Sequence, residues 1–269
     1  HKISKQELSI ENIPSKENYN TTLSYVLNLF KENKISLGWS GYNSFNYTFK
    51  GEIEYFKEKV NQFIESRKTI KEDSTLNLSA LNNENLVKNH LFDEYNPVIV
   101  QNVLNNETLK ICQEYYSTTI NNGAYTLGDK QSKRFKAHNE PMGRILQYEI
   151  LPLIEKIVGK SLQPTYTYLS AYVKDSDLPA HTDRPDCEYT VSFIINKPEN
   201  VRWPIYFHKE KQPVKNKGRY NWTPSKEECI EVDCNAGGLM MFQGTDHIHF
   251  REKLEYDFYY IVLLHYRTV

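Results

Sequence analysis

The pattern of apolar and polar residues divides the chain into a helical front and a strand-rich back. Apolar residues recur at helical spacing over residues 21–32 and 52–67, which predicts two amphipathic helices. The polar stretch 69–92 predicts a loop on the surface. We therefore expect residues 1–95 to form a helical extension, whose role the sequence does not define, ahead of a main domain over residues 96–269.

The main domain combines a few helices with many strands, which is an α+β composition. Helical spacing returns over residues 106–119 and 140–159, and Pro152 should bend the second helix. Beyond it, aromatic and β-branched residues predominate, as is typical of strands. Strands are predicted over residues 97–100, 166–172, 189–196, 239–242 and 258–266.

The segment Leu-Pro-Ala-His-Thr-Asp-Arg, residues 178–184, contains a candidate metal-binding pair. In an extended chain, residues two apart point to the same side. His181 and Asp183 can therefore both face inward while Thr182 faces away. Two imidazoles and one carboxylate on one face of a metal form the site of non-haem Fe(II) oxygenases, so a third ligand is expected from a distant strand.

Three downstream histidines are candidates for that third ligand: His247, His249 and His265. We prefer His249, which should lie at the mouth of a hairpin formed by strands 239–242 and 258–266, and we keep His247 in reserve. Cys187 is close to the pair, but we interpret it as a packed thiol.

Six sequence blocks in this order resemble the Fe(II)/2-oxoglutarate-dependent dioxygenases, and among them the prolyl-hydroxylase-like branch. The resemblance covers roughly residues 96–269. It implies a double-stranded β-helix, also called a jelly-roll or cupin-like fold, which uses Fe(II), 2-oxoglutarate and O2 to hydroxylate a C–H bond. The blocks are Tyr-Leu-Ser-Ala-Tyr at 168–172, residues 178–184, Tyr-Thr-Val-Ser-Phe-Ile-Ile-Asn at 189–196, Trp-Pro-Ile-Tyr at 203–206, Gly-Leu-Met-Met-Phe-Gln-Gly at 238–244 and His-Phe-Arg-Glu at 249–252.

Two strands should provide polar groups for the pocket. The resemblance implies that Tyr172 hydrogen-bonds 2-oxoglutarate, a task that suits a phenol because it donates without adding charge. On the next strand, Thr190 and Ser192 share one face. Hydroxyl groups on a face otherwise expected to be apolar predict a polar pocket wall.

The sequence departs from the family pattern at the position of the cation that binds the distal carboxylate of 2-oxoglutarate. Relatives usually have Arg or Lys where Phe258 and Tyr259 stand here. We predict that Arg251, two residues beyond His249, replaces it, since a guanidinium binds a carboxylate through two parallel hydrogen bonds. Arg202 and Arg267 are the alternatives.

The substrate is less well defined. Arg184 and Trp203 are candidate contacts, and the polar excursion over residues 209–228 is typical of a lid. We expect a small molecule, an amino acid or a peptide side chain. Two other classes stay open: a cupin-like metal hydrolase or isomerase using the same ligands, and an inactive barrel that serves as a binding module.

The composition and net charge of the chain limit the classes of binding partner that we expect. The 269-residue chain has a net charge of −1 and lacks an apolar run of membrane-spanning length, which favours neither a nucleic acid nor a membrane as a partner. Its four cysteines show no Cys-x-x-Cys spacing, so free thiols in a reducing cytoplasm are expected. The oligomeric state is not predictable.

Overall fold

The computed structural model describes residues 97–129, 131–211 and 218–269. The N-terminal extension 1–95 and its two predicted helices therefore lie outside the described residues. The elements run in the order β1 Val98–Val100, α1 Asn106–Asn121, β2 Thr126–Leu127, β3 Arg134–His138, α2 Pro141–Val158, β4 Leu162–Val173, β5 Leu178–His181, β6 Tyr189–Asn196, β7 Ile205–Lys211, β8 Cys229–Val232, β9 Leu239–Phe242, β10 His247–Arg251 and β11 Phe258–Thr268.

Two antiparallel sheets face each other. The seven-stranded sheet has the order β1-β9-β6-β11-β4-β3-β2, and the four-stranded sheet has the order β5-β10-β7-β8. From β4 onward the chain crosses repeatedly between the sheets, and aromatic pairs such as Phe207 with Phe242 join their inner faces. This arrangement confirms the predicted double-stranded β-helix with flanking helices.

The predicted hairpin between strands 239–242 and 258–266 is wrong. Strand β9 pairs with β1 and β6, whereas β11 pairs with β4 and β6. His249 lies within β10, in the opposite sheet. The reason is that β10, which lies between β9 and β11 along the chain, belongs to the four-stranded sheet, and periodicity within a strand does not reveal its partner.

The seven-stranded sheet has two different environments. Because side chains alternate along a strand, Val191, Phe193 and Ile195 of β6 pack in the core beneath the helices. The other face, which carries Thr190 and Ser192, points toward the four-stranded sheet and lines an internal cavity. The alternation predicted for this strand is therefore confirmed.

Helix α2 begins at a fully buried carboxylate. Glu140 caps it by accepting hydrogen bonds from the backbone nitrogens of Met142 and Gly143, and the hydroxyls of Tyr115 and Tyr116 donate to the same carboxylate. Burial raises the pKa of Glu140 to about 7 despite these donors. None of the described helices has the length and apolarity required to cross a membrane.

Candidate metal centre and active-site cavity

The structure brings His181, Asp183 and His249 together. One potential ligand atom from each residue lies within 4.8 Å of the others. The Nε2 atoms of His181 and His249 each lie 3.6 Å from Oδ1 of Asp183. Strand pairing explains this meeting, because His181 of β5 stands directly opposite His249 of β10.

Thr182, the residue between the pair, is buried, borders the cavity and is hydrogen-bonded to Gly218, so the expectation that it faces away is not met. The backbone nitrogen of Thr182 donates to the carbonyl of Gly218 over 2.8 Å, and its hydroxyl accepts from the Gly218 nitrogen over 2.7 Å. The Asp183 nitrogen donates to the carbonyl of Gly244 over 2.7 Å. These contacts keep the segment extended beyond the end of β5, so that His181 and Asp183 point to the same side.

Each imidazole of the triad is oriented by a backbone carbonyl. Nδ1 of His181 lies 2.8 Å from the carbonyl of Pro179, and Nδ1 of His249 lies 3.0 Å from the carbonyl of His247. A carbonyl only accepts, so we assign the ring hydrogen to Nδ1 in both residues. The lone pair on each Nε2 is then directed toward Asp183 and is available to a metal.

The carboxylate of Asp183 is held in place by two further residues. Its Oδ2 atom accepts a hydrogen bond of 2.7 Å from the hydroxyl of Thr190. Nδ1 of His265 lies 3.2 Å from the same hydroxyl, and because Thr190 has given its hydrogen to Asp183, His265 must be the donor. Burial lowers the pKa of His265 to about 4, so its ring is neutral.

The charge states suit a divalent cation. Burial by itself would raise the pKa of Asp183, but His249 and His181 in their protonated forms reverse that effect and hold its pKa well below the usual range. Burial, together with His249, lowers the pKa of His181. A carboxylate is therefore paired with an imidazole that favours its neutral, ligand-competent form.

The other nearby histidine and cysteine side chains are less suitable as metal ligands. His247 is not in the cluster, and its Nδ1 lies 2.9 Å from the carbonyl of His208. Cys187 and His265 do lie close enough to Asp183 for a second three-residue group. However, burial raises the pKa of the Cys187 thiol, which stays protonated 3.1 Å from the hydroxyl of Tyr166. Thiolate, not thiol, binds metals.

A cavity of about 710 Å³ surrounds the triad. Its lining includes five other predicted site residues: Tyr172, Arg184, Thr190, Ser192 and Arg251. Trp203 does not line it. This side chain is buried behind Arg251 and donates from its indole nitrogen to the carbonyl of Glu252 over 2.9 Å. The segment from 209 to 228 does contribute to the lining, through Gly218 and Arg219.

Arg251 differs from the two alternative arginines. It is only 2% exposed, and its guanidinium lies 4.6 Å from the ring centre of Trp203. Its Nη1 donates to the Trp203 carbonyl, while its Nη2 is buried with no hydrogen-bond partner among the described residues. Arg202 instead pairs with acidic residues at the surface, and Arg267 is exposed beside Gln163.

Sequence reasoning missed a second buried arginine in the cavity. Arg134 of β3 forms an ion pair of 2.9 Å with Asp129 and donates from Nη1 to the hydroxyl of Tyr172 over 2.7 Å. It stands directly opposite Tyr172 in the sheet. The alternation Arg134, Lys136, His138 was a usable signal, because three polar side chains on one face of a strand indicate a polar wall.

Comparison with known proteins supports the fold. No protein-family model and no curated protein matches the chain. Among solved structures, the chain is similar to the non-haem α-ketoglutarate-dependent carbocyclase SnoK from nogalamycin biosynthesis, with a TM-score of 0.53 and 12% identity over 68% of this chain and 84% of that chain. The corresponding epimerase SnoN aligns with a TM-score of 0.50 and 13% identity over 65% and 79%. The chain thus has the fold of this oxygenase superfamily, as its sequence resemblance predicts.

Proposed function

We propose that this protein is a non-haem Fe(II)- and 2-oxoglutarate-dependent oxygenase that hydroxylates an unactivated C–H bond of a small molecule, an amino acid or a peptide side chain. The observation that carries the proposal is the convergence of His181, Asp183 and His249 at the wall of an internal cavity. Similarity in fold to the α-ketoglutarate-dependent proteins SnoK and SnoN supports the same class.

The triad fits Fe(II). Two Nε2 atoms and Oδ1 of Asp183 form a neutral, neutral and anionic donor set on one side of the site, which leaves the cavity side open. Thr190, predicted as a co-substrate contact, acts here through Asp183 by occupying Oδ2. Bound Fe(II), together with 2-oxoglutarate and O2, supplies the oxidising power for hydroxylation.

Arg251 and Tyr172 are suited to hold the distal carboxylate of 2-oxoglutarate. The buried Nη2 of Arg251 lacks a partner among the described residues, and a buried charged donor without a partner is costly unless a ligand satisfies it. The hydroxyl of Tyr172 accepts from Arg134, which leaves its own hydrogen for an acceptor in the cavity. Ser192, on the same wall, supplies a further hydroxyl.

Apolar side chains form part of the cavity lining beside the triad. Phe242 packs edge-on against the ring of His249, with ring centres 5.1 Å apart, and Ile261 and Leu263 complete the apolar surface of the opposite sheet. The triad therefore has apolar side chains beside it in addition to the polar residues of the cavity wall.

One anaerobic experiment tests this proposal against a metal hydrolase or isomerase and against an inert binding module. Fe(II) and 2-oxoglutarate are added, and the visible charge-transfer band between metal and co-substrate is recorded. O2 is then admitted, and succinate is measured. An oxygenase gives both signals, and Asp183→Ala abolishes both. If the wild-type protein gives neither signal, the proposal is wrong.

A further inference from the structure

We propose that Trp203 and Tyr259, which we call the aromatic pair, are positioning residues for 2-oxoglutarate. The pair holds the guanidinium of Arg251 in place without neutralising its charge, and Trp203 also supports the ring of Tyr172. This inference rests on the proposed oxygenase function and deepens it, because it identifies what positions the two groups suited to the distal carboxylate. It also assigns a role to Trp203, which does not line the cavity.

The side chain of Arg251 lies against both rings of the aromatic pair. Its guanidinium carbon is 4.6 Å from the ring centre of Trp203 and 5.4 Å from that of Tyr259. The two rings also contact each other edge-on, with centres 5.3 Å apart. A guanidinium stacks readily on aromatic rings, because it is planar and only weakly hydrated. With the hydrogen bond from Nη1 to the Trp203 carbonyl, three contacts fix the direction of this side chain.

Trp203 connects Arg251 with Tyr172. The rings of Trp203 and Tyr172 are in edge contact, with centres 4.8 Å apart. Tyr259 of β11 stands directly opposite Tyr172 of β4 in the seven-stranded sheet. The indole nitrogen of Trp203 donates to the carbonyl of Glu252 over 2.9 Å, which anchors the ring beside β10. Both groups suited to the distal carboxylate therefore depend on the position of one indole ring.

The aromatic pair leaves the charge of Arg251 available. No acidic residue in the described part of the chain forms an ion pair with Arg251. Burial raises the pKa of Tyr259, so its hydroxyl stays neutral and adds no anion. The other buried arginine of the cavity, Arg134, differs because Asp129 lies 2.9 Å from its Nε atom. Aromatic rings orient a cation without competing for it as a carboxylate does.

This arrangement predicts that the co-substrate is selected by its second carboxylate. Arg251 is only 2% exposed, and a buried charge is stabilised strongly by an anion but hardly at all by an apolar group. 2-Oxovalerate is a suitable comparison, because it has a methyl group where 2-oxoglutarate has its distal carboxylate. We expect it to bind at least about ten-fold more weakly than 2-oxoglutarate.

The test uses the full chain, loaded anaerobically with Fe(II). Titration of the charge-transfer band gives the dissociation constants of 2-oxoglutarate and 2-oxovalerate. Trp203→Leu and Tyr259→Leu each remove one ring of the aromatic pair, and each should weaken 2-oxoglutarate binding about ten-fold while changing 2-oxovalerate binding less than about two-fold. A loss confined to the dicarboxylate indicates that Arg251 is displaced, because general damage to the fold or to the metal centre weakens both keto acids.

Conservative and control variants complete the test. Trp203→Phe and Tyr259→Phe keep a ring beside Arg251 and should keep the preference for 2-oxoglutarate. Tyr256→Leu removes an exposed tyrosine and should bind both keto acids as the wild-type protein does. The two leucine variants are independent, so either one tests the inference if the other does not fold.

Three results would contradict the inference. They are equal affinity of the wild-type protein for the two keto acids, unchanged 2-oxoglutarate binding in the leucine variants, and equal weakening of both keto acids in those variants. In each case the charge-transfer band of the wild-type protein still forms, so the proposed function stands. If the wild-type protein forms no band with either keto acid, the proposed function is wrong and this inference falls with it.

Discussion

Thr190 donates its hydroxyl hydrogen to Oδ2 of Asp183 across 2.7 Å, and this hydrogen bond links the two sheets. Thr190 lies on β6 of the seven-stranded sheet, whereas Asp183 follows β5 of the four-stranded sheet. The contact turns one carboxylate oxygen away from the histidines and leaves Oδ1 facing both Nε2 atoms. The orientation of the candidate carboxylate ligand therefore depends on a residue of the opposite sheet.

Replacing Thr190 by valine should weaken metal binding, because valine has the same shape but cannot donate to Asp183. Loss of such a supporting contact typically costs about 10–100-fold in metal affinity. Anaerobic titration with Fe(II) or Co(II) measures the change. Thr190→Ser, which keeps the hydroxyl, should restore most of the affinity. An unchanged dissociation constant for the valine variant would mean that Asp183 is positioned by other contacts.

Gly244→Ala should displace the carboxylate directly. A Cβ atom at Gly244 would lie 1.9 Å from Oδ2 of Asp183 and 2.8 Å from the hydroxyl oxygen of Thr190. Both atoms are held by hydrogen bonds, so the clash cannot be relieved without moving the ligand. We expect metal affinity to fall at least about ten-fold. Thr245→Ala, in the same turn, is the control and should retain wild-type affinity.

The identity of the third ligand can be tested with two adjacent histidines of β10. His249→Ala should abolish metal-dependent succinate formation, because it removes one of the two Nε2 atoms beside Asp183. His247→Ala should keep metal binding, because this side chain is directed to the carbonyl of His208. Metal titration and succinate release distinguish the two. If His247→Ala abolished metal binding and His249→Ala did not, His247 would be the third metal ligand.

Arg251→Met should raise the requirement for 2-oxoglutarate. Methionine preserves much of the packing on Trp203 but removes the charged donors. Each hydrogen bond to a charged group contributes about 1.5–3 kcal/mol, so the Michaelis constant for 2-oxoglutarate should increase roughly ten-fold to a hundred-fold. Arg267→Met is the matched control. If only that control changed the Michaelis constant, the distal carboxylate would be bound elsewhere.

The stability of the protein should depend on pH through His138. Its pKa in the folded state, about 4, lies below the ordinary value of 6.5. The neutral ring is thus favoured by folding, and its contribution is present above pH 6.5 and is lost as the pH falls toward 4. The shift is equivalent to about 3 kcal/mol at most. Urea unfolding from pH 7.5 to 4.5 should show a smaller loss of stability in His138→Gln than in the wild-type protein, and parallel curves would contradict the assignment.

Local features of the candidate site could be predicted from the sequence. Placing His181 and Asp183 together needed only the two-residue period of an extended chain, whereas Thr182 is buried against Gly218 and also borders the cavity. The polar face of Thr190 and Ser192 followed from the same period. Such placements can be predicted because the geometry of a strand is repeated at every residue and requires no knowledge of its partner.

Features that depend on strand partners could not be predicted in this way. The partnership of β9 with β6 and of β10 with β5 joins residues far apart in sequence. Arg134 was missed for this reason, because its contact with Tyr172 depends on the pairing of β3 with β4. Trp203 shows the converse: it was predicted as a candidate substrate contact, but the fold buries it behind Arg251 and outside the cavity lining.

The carbonyls of Pro179 and His247 orient the two imidazoles from within their own strands. The rings therefore lose their rotational freedom when the chain folds, before any ion arrives. This distinguishes the centre from small zinc domains, whose folding free energy comes from the metal itself. A chelator should therefore remove the metal and leave this protein folded, with its metal-binding site already formed. The selectivity of the site for one metal over another then depends on how closely the coordination geometry that each ion prefers matches the geometry of the preformed site.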